Sequence, residues 1–235
     1  MCAIFGSFDR SMYDVLFQAN NERGTFAYSH CFFNNKGAAP FHIKKFSKIP
    51  KINDITDVAS NVYHFGHFQA PTSSVRCWKE ETSHPFEHND WVVAHNGVLT
   101  NFDELRDEYA PMQNLKVDSS LIPIMLETHT FVYDEKDKQG NAAMLEQAVK
   151  TTLEKIKGTF ALWIINRKHK RAFVARQGST LFANTKTGAF CSIECKSKDW
   201  TEIPEGYIYE VMFKDKCMMP IGKFAIDSPF LFIPE

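Results

Sequence analysis

Apolar and aromatic positions crowd the first hundred residues in short runs. CAIFGSF, GTFAYSHCFF, APFHIKKF, VYHFGHFQA and DWVVAHNGVL are separated by Gly, Pro and Asn, which predicts strands joined by turns. Residues 10–21 alone read as a helix there. The period changes in the middle of the chain. NFDELRDEY and DSSLIPIMLETH carry helix formers, with Asn101 and Asp118 placed as N-caps. Residues 141–157 give the clearest helix, because Leu145, Val149, Leu153 and Ile156 repeat on one face and Gly158 supplies a stop. Strand patterns return in TFALWIIN, RAFVAR, GAFCSI and YIYEVMF.

Strands, then helices, then strands again predict an α+β architecture of two antiparallel sheets with helices on their outer faces. No linker, repeat or low-complexity tract divides the sequence, so one domain over residues 1–235 is expected. The apolar tail IDSPFLFIPE is expected to pack back onto the body.

Charge narrows the classes of partner. A formal net charge of -1 supplies no global field for nucleic acid or anionic lipid. The local basic stretches HIKKFSKIPK and RKHKR read as solvated loops or turns. No apolar run reaches the roughly 20 residues that span a bilayer, and no secretion signal opens the chain. A cytoplasmic location is expected, with the six cysteines reduced. Cys191 and Cys195 lack the second Cys/His pair of a metal finger and read as unrelated neighbours in a strand and its turn. His64 and His67 are three apart in a strand, so they face opposite sides and make poor co-ligands. Neither metal nor cofactor is expected.

Cys2 changes the picture. It follows the initiator methionine, and loss of Met1 would put a thiol and a free α-amine on one residue. That amine titrates at roughly 7.7–8.0, so it can serve as a base near neutral pH. A lone cysteine near a terminus is more often a small hydrophobe in a strand. Asn96 and Gly97 fit the commonest two-residue hairpin turn, yet the same turn would aim an amide and a backbone N–H in one direction, as an oxyanion hole requires. Asp118 suits a helix N-cap, and Arg23 a surface position before a turn.

Taken in order, Cys2, RGTFAYS, FGHFQAPTS, SHPFEHNDWVVAHNGVLTNFDEL and VDSSLI resemble the glutaminase domain of class II glutamine amidotransferases, the N-terminal-nucleophile (Ntn) enzymes. The resemblance runs from Cys2 to about Ile122, and GTFALWIIN extends it into the later strands. It implies a four-layer αββα sandwich of the Ntn-hydrolase type. It also implies roles: Cys2 as nucleophile, Asn96 and Gly97 as oxyanion donors, and Arg23 with Gly24 holding the active-site loops. Asp118 would receive the α-ammonium of glutamine, Thr72 would line the pocket, and His84, Pro85 and Asn101 would serve as scaffold.

One departure bears on the substrate. Where the family carries an arginine for the α-carboxylate, this chain has Gln69, which cannot form a charge-assisted bidentate pair. Arg76 is one replacement; a partner that orders the loop, or a substrate without that carboxylate, are others. RGTFAYS also lacks the aspartate and second glycine of the family's RGxDSxG. The expected reaction is hydrolysis of the glutamine side-chain amide through a γ-glutamyl thioester, with ammonia passed to a separate synthase. An N-terminal-cysteine amidohydrolase or γ-glutamyl peptidase is the second reading, and a non-catalytic binding module the third.

Overall fold

Strands that are apolar on both sides must be covered on both sides, and that requirement stacks this chain into layers. The computed structural model describes residues 1–33, 41–55, 62–70, 77–130, 138–195 and 198–227. In chain order the first strands are β1 (Ala3–Ser7), β2 (Ala27–Phe33), β3 (Phe41–Phe46), β4 (Tyr63–Gln69), β5 (Phe86–His88) and β6 (Trp91–Leu99). The later ones are β7 (Gly158–Asn166), β8 (Arg171–Gln177), β9 (Phe182–Asn184), β10 (Ala189–Cys191), β11 (Thr201–Glu202), β12 (Tyr207–Met212) and β13 (Cys217–Lys223). The helices are α1 (Arg10–Asn20), α2 (Phe102–Tyr109), α3 (Ile122–His129) and α4 (Lys138–Lys155).

The strands form a seven-stranded sheet, β11-β9-β10-β1-β4-β2-β3, and a six-stranded sheet, β13-β12-β8-β7-β6-β5. Every ladder between these described strands is antiparallel. Alternation along β7 shows how the slabs are built: Ala161, Trp163 and Ile165 meet Ile4, Phe33 and Phe65 of the other sheet, while Phe160, Leu162 and Ile164 face the helices. Helix α1 closes the far side of the first sheet, burying Tyr13, Leu16 and Phe17 against Phe5 and Phe68. Its start is fixed by Asp9, whose Oδ1 accepts from Met12 N at 2.9 Å. The result is the four-layer αββα sandwich.

Leu145, Val149 and Leu153 of α4 are buried as their spacing requires. Arg171 pins that helix to the second sheet: Nη2 lies 2.8 Å from Glu146 and 2.6 Å from Glu210, and Nε also donates to Glu210. This arginine ends the RKHKR stretch, which is a turn from Arg167 to Lys170 followed by a half-buried ion pair rather than solvated throughout.

Several expectations need correction. Asn96 and Gly97 are not a hairpin turn; they lie inside β6, opposite Ala161 and Phe160 of β7. Asn101 holds the N-cap position of α2, as expected, but its side chain makes no capping bond. Its Nδ2 donates to Lys155 O at 3.0 Å and its Oδ1 accepts from Lys157 N at 2.9 Å, tying the start of α2 to the end of α4. Gly158 does not end α4; it opens β7 at φ 109°, where an added Cβ would lie 2.3 Å from Val98 O. Cys191 and Cys195 are not unrelated, since their sulfurs are 3.4 Å apart. Strands β5, β9, β11 and β13 were not predicted. Of the tail IDSPFLFIPE, Ile226 is exposed and Asp227 N donates to Gln177 Oε1, while residues 228–235 lie outside the described residues. No described helix is long and apolar enough to cross a membrane.

Candidate active site

The two sheets leave a cavity of about 630 Å³ at one end, and Cys2, Gln69, Gly97 and Asp118 all line it. Cys2 stands just before β1, half-buried, and its Sγ accepts from Ala70 N at 3.5 Å. Strand β1 is held in place by its neighbour β4, running from Ala3 opposite Phe68 to Ser7 opposite His64. The position of Cys2 is thereby set by a strand inside the first sheet, between β10 and β4, rather than by a loop.

Gly24 is where the chain comes closest to the end of β4. A Cβ there would sit 2.7 Å from Phe68 C and 2.8 Å from Gln69 N, so only glycine allows the approach. Next to it, Arg23 Nη1 donates to Thr180 Oγ1 at 3.1 Å, and Arg23 O accepts from the Met1 amine at 3.3 Å. Thr180 Oγ1 in turn donates to Ser192 O at 2.9 Å, so Arg23 braces the segment that follows β10.

Strand alternation separates the residues of HNG. His95 and Gly97 are cavity-lining residues, whereas Asn96 shares the inter-sheet face of Val92 and Ala94 and donates from Nδ2 to Ser192 Oγ at 3.3 Å. Gly97 has a different constraint: a Cβ would meet Thr159 O at 1.9 Å and His95 Nε2 at 2.7 Å. Strand β7 can reach β6 at this point only because residue 97 has no side chain.

Asp118 opens a short 3-10 turn, Asp118–Leu121. It does not act as a helix N-cap; Oδ2 accepts from Leu99 N at 2.9 Å, and Oδ1 accepts from Ser119 N at 2.7 Å and Ser119 Oγ at 3.1 Å. These bonds fix the carboxylate against the end of β6 beside Gly97. His95 holds the same corner, with Nδ1 2.8 Å from Ser119 Oγ and Nε2 3.3 Å from Thr159 O. Burial keeps the His95 imidazole below its usual titration range, opposed in part by the Asp118 charge.

His64 and His67 face opposite sides of β4, as their spacing predicts. His64 Nδ1 meets His30 Nε2 at 3.2 Å on one side, and His67 Nε2 donates to His95 O at 3.2 Å on the other. His67 also packs on the ring of His84, centroid to centroid 4.1 Å. Thr72 and Arg76 lie outside the described residues.

The structure therefore brings Cys2, Gln69, Gly97 and Asp118 to one cavity, with Arg23, Gly24 and Asn96 in the surrounding layer. Sequence reasoning assigned no role to His95, Ser119 or Ser192, because each acts through a partner distant in sequence. Lys79 and Lys116, two cations of the cavity wall, were also missed. Only the alternation of Lys116, Val117 and Asp118 could have signalled the second.

Comparison with known proteins agrees with this geometry. The family described as glutamine amidotransferase domain matches residues 74–193. The 7-cyano-7-deazaguanine synthase of Saccharolobus solfataricus is 33% identical over 130 residues, covering 54% of this chain and 25% of that protein. The isomerizing glutamine–fructose-6-phosphate aminotransferase of Methanocaldococcus jannaschii is 33% identical over 110 residues, 43% of this chain and 10% of that one. This chain thus spans a quarter or less of these curated relatives. Among solved structures, the glutamine phosphoribosylpyrophosphate amidotransferase of B. subtilis superposes with a TM-score of 0.71 at 16% identity, over 97% of this chain and 50% of that one. A glutamine aminotransferase class-II domain protein from Silicibacter pomeroyi gives 0.52 at 12% identity, over 96% of this chain and 100% of that one. At these identities the structural likenesses speak for the fold.

Proposed function

Because this chain belongs to the glutamine amidotransferase domain family, we propose that its cavity hydrolyses the side-chain amide of glutamine with Cys2 as nucleophile. The observation that carries the proposal is the placement of Cys2, Gly97 and Asp118 on the wall of a single cavity. After removal of Met1, the Cys2 α-amine takes the thiol proton, directly or through water, and the thiolate attacks the carboxamide carbon. The Gly97 N–H and the Asn96 amide stabilise the oxyanion, the latter by turning from Ser192; a donor of this kind contributes about 3–4 kcal/mol. The C–N bond breaks, and ammonia departs with the proton held by the amine. Water then cleaves the γ-glutamyl thioester with the same amine as base, releasing glutamate and restoring the thiol.

Ammonia is proposed to pass to a separate synthase protein acting in the cytoplasm. Support comes from the relatives' names, a deazaguanine synthase and a fructose-6-phosphate aminotransferase, whose chains extend well beyond the matched segment. A modified-nucleotide or sugar acceptor suits both.

The test is the intact mass of untagged protein before and after incubation with a diazoketone analogue of glutamine. Loss of Met1 and a single adduct mapped to Cys2 is the expected result. Loss of Met1 without an adduct would move the N-terminal-cysteine amidohydrolase reading ahead. Retention of Met1 would remove the α-amine from the mechanism.

A further inference from the structure

A free amino acid is a zwitterion, with its ammonium and carboxylate on one carbon, so a site that selects it must offer an anion and a cation close together. The cavity offers the anion at Asp118, while Gln69, fully buried beside Cys2, contributes no charge. Two lysines line the same cavity, Lys79 and Lys116. They are not equivalent.

Lys116 is two residues before Asp118, and the residue between them, Val117, has extended backbone at φ −133° and ψ 127°. Extended backbone sends residues i and i+2 to the same side, about 6–7 Å apart at Cα. Lys116 and Asp118 therefore present opposite charges to the cavity from one rigid stretch. Asp118 is anchored by Leu99 N and Ser119 N, whereas the Lys116 stem is exposed and long enough to swing over a ligand. Among the described residues Lys116 makes no ion pair within 4.0 Å. Lys79 stands elsewhere on the wall and is followed directly by Glu80 and Glu81, whose charges oppose its own.

We infer that Lys116 binds the α-carboxylate of the substrate while Asp118 binds its α-ammonium, so that the site selects free glutamine over glutamine within a peptide. This rests on the glutaminase reading and specifies its substrate class. It also supplies the needed cation from Lys116 on the same cavity wall, with no requirement for charge at position 69.

Calorimetry with the Cys2→Ala chain tests it without turnover, using L-glutamine and its α-amide, L-glutaminamide, which lacks the carboxylate. Glutamine is expected to bind at least about tenfold more tightly, the size of one charge-assisted contact. Lys116→Met should abolish that ratio by weakening glutamine alone, Lys116→Arg should keep most of it, and Lys79→Met should leave it intact. The inference is overturned if the ratio survives Lys116→Met, collapses instead in Lys79→Met, or is absent from the start. Failure of the inference alone would leave diazoketone labelling of Cys2 unchanged. Absence of binding by both ligands, together with absence of labelling, would overturn the glutaminase reading as well.

Discussion

Asn96 and Ser192 join the two sheets directly: the Asn96 amide donates to the Ser192 hydroxyl at 3.3 Å, across the slab that separates β6 from β10. The same hydroxyl accepts from Ile4 N at 3.0 Å, two residues after Cys2. The strand that follows Cys2 and the proposed oxyanion residue thus share one small polar hub between the sheets. Asn96→Ala should lower kcat by about 10²–10³, the loss seen when one oxyanion donor is removed. Ser192→Ala should act differently. It leaves Ile4 N buried without its side-chain acceptor, a cost of about 1–3 kcal/mol, so the melting temperature should fall along with kcat. Thermal melts and ammonia release on the two variants separate the effects; equal loss of stability in both would show that Asn96 serves packing alone.

Gly97→Ala should unfold the chain or nearly so. The new Cβ would lie 1.9 Å from Thr159 O, so β7 must move away from β6 at the centre of the second sheet. The penalty should exceed about 3 kcal/mol, the upper range for single substitutions. Denaturant unfolding gives the number directly. A melting temperature within a few degrees of the parent would mean that the two strands separate freely there.

Gly97 also marks where the sequence was legible and where it was not. Asn-Gly between apolar runs reads locally as a hairpin, but β6 continues through it because β7, sixty residues on, supplies the pairing. Nothing within the strand itself encodes that partner. The helix face of Leu145, Val149 and Leu153 was legible because its period is local, and Cys2, Gly24 and Asp118 were legible as parts of one ordered family pattern. Ser192 and His95 were not, since their value lies in contacts to Asn96 and Ser119 that only the layered packing creates. Asn101 satisfied the composition of an N-cap but spends its side chain on the backbone at the end of α4, a tertiary demand that overrides local preference.

Stability should decline as pH falls below about 6.5. Burial holds the His67 imidazole at about 3 and His64 at about 4, against an ordinary value of 6.5. His30 is likewise well below, through burial first and the His64 charge second. Between these folded values and 6.5 the unfolded chain binds protons that the native state refuses, so unfolding is favoured as pH drops. The full contribution is present above pH 6.5, and by pH 5 each of His64 and His67 removes about 2 kcal/mol. Unfolding free energies at pH 7.5, 6 and 5 measure the slope. His67→Gln should reduce it by one proton, about 1.4 kcal/mol per pH unit, whereas an unchanged slope would place the responsible titration elsewhere.

Any residue left in front of Cys2 should silence the chemistry while leaving the fold intact. Met1 is 82% exposed, and its amine donates to Arg23 O at 3.3 Å, so the first residue contributes little to the core. Its chemical effect is larger. With Met1 present the nitrogen of Cys2 is an amide, whose lone pair is delocalised into the carbonyl and cannot take the thiol proton. With Met1 gone it is an amine titrating near 8, the base that the proposed mechanism needs. A chain blocked by one extra residue should therefore melt within a degree or two of the mature form, yet release ammonia about 10²–10⁴-fold more slowly. A cleavable leader that exposes Cys2 on demand makes this a paired measurement on one preparation, with activity returning as the leader is lost. The recovered rate should rise with pH through the amine's titration near 8, because only the neutral amine accepts a proton. Full activity in the blocked chain would assign the base to another group and overturn the role given to the Cys2 α-amine.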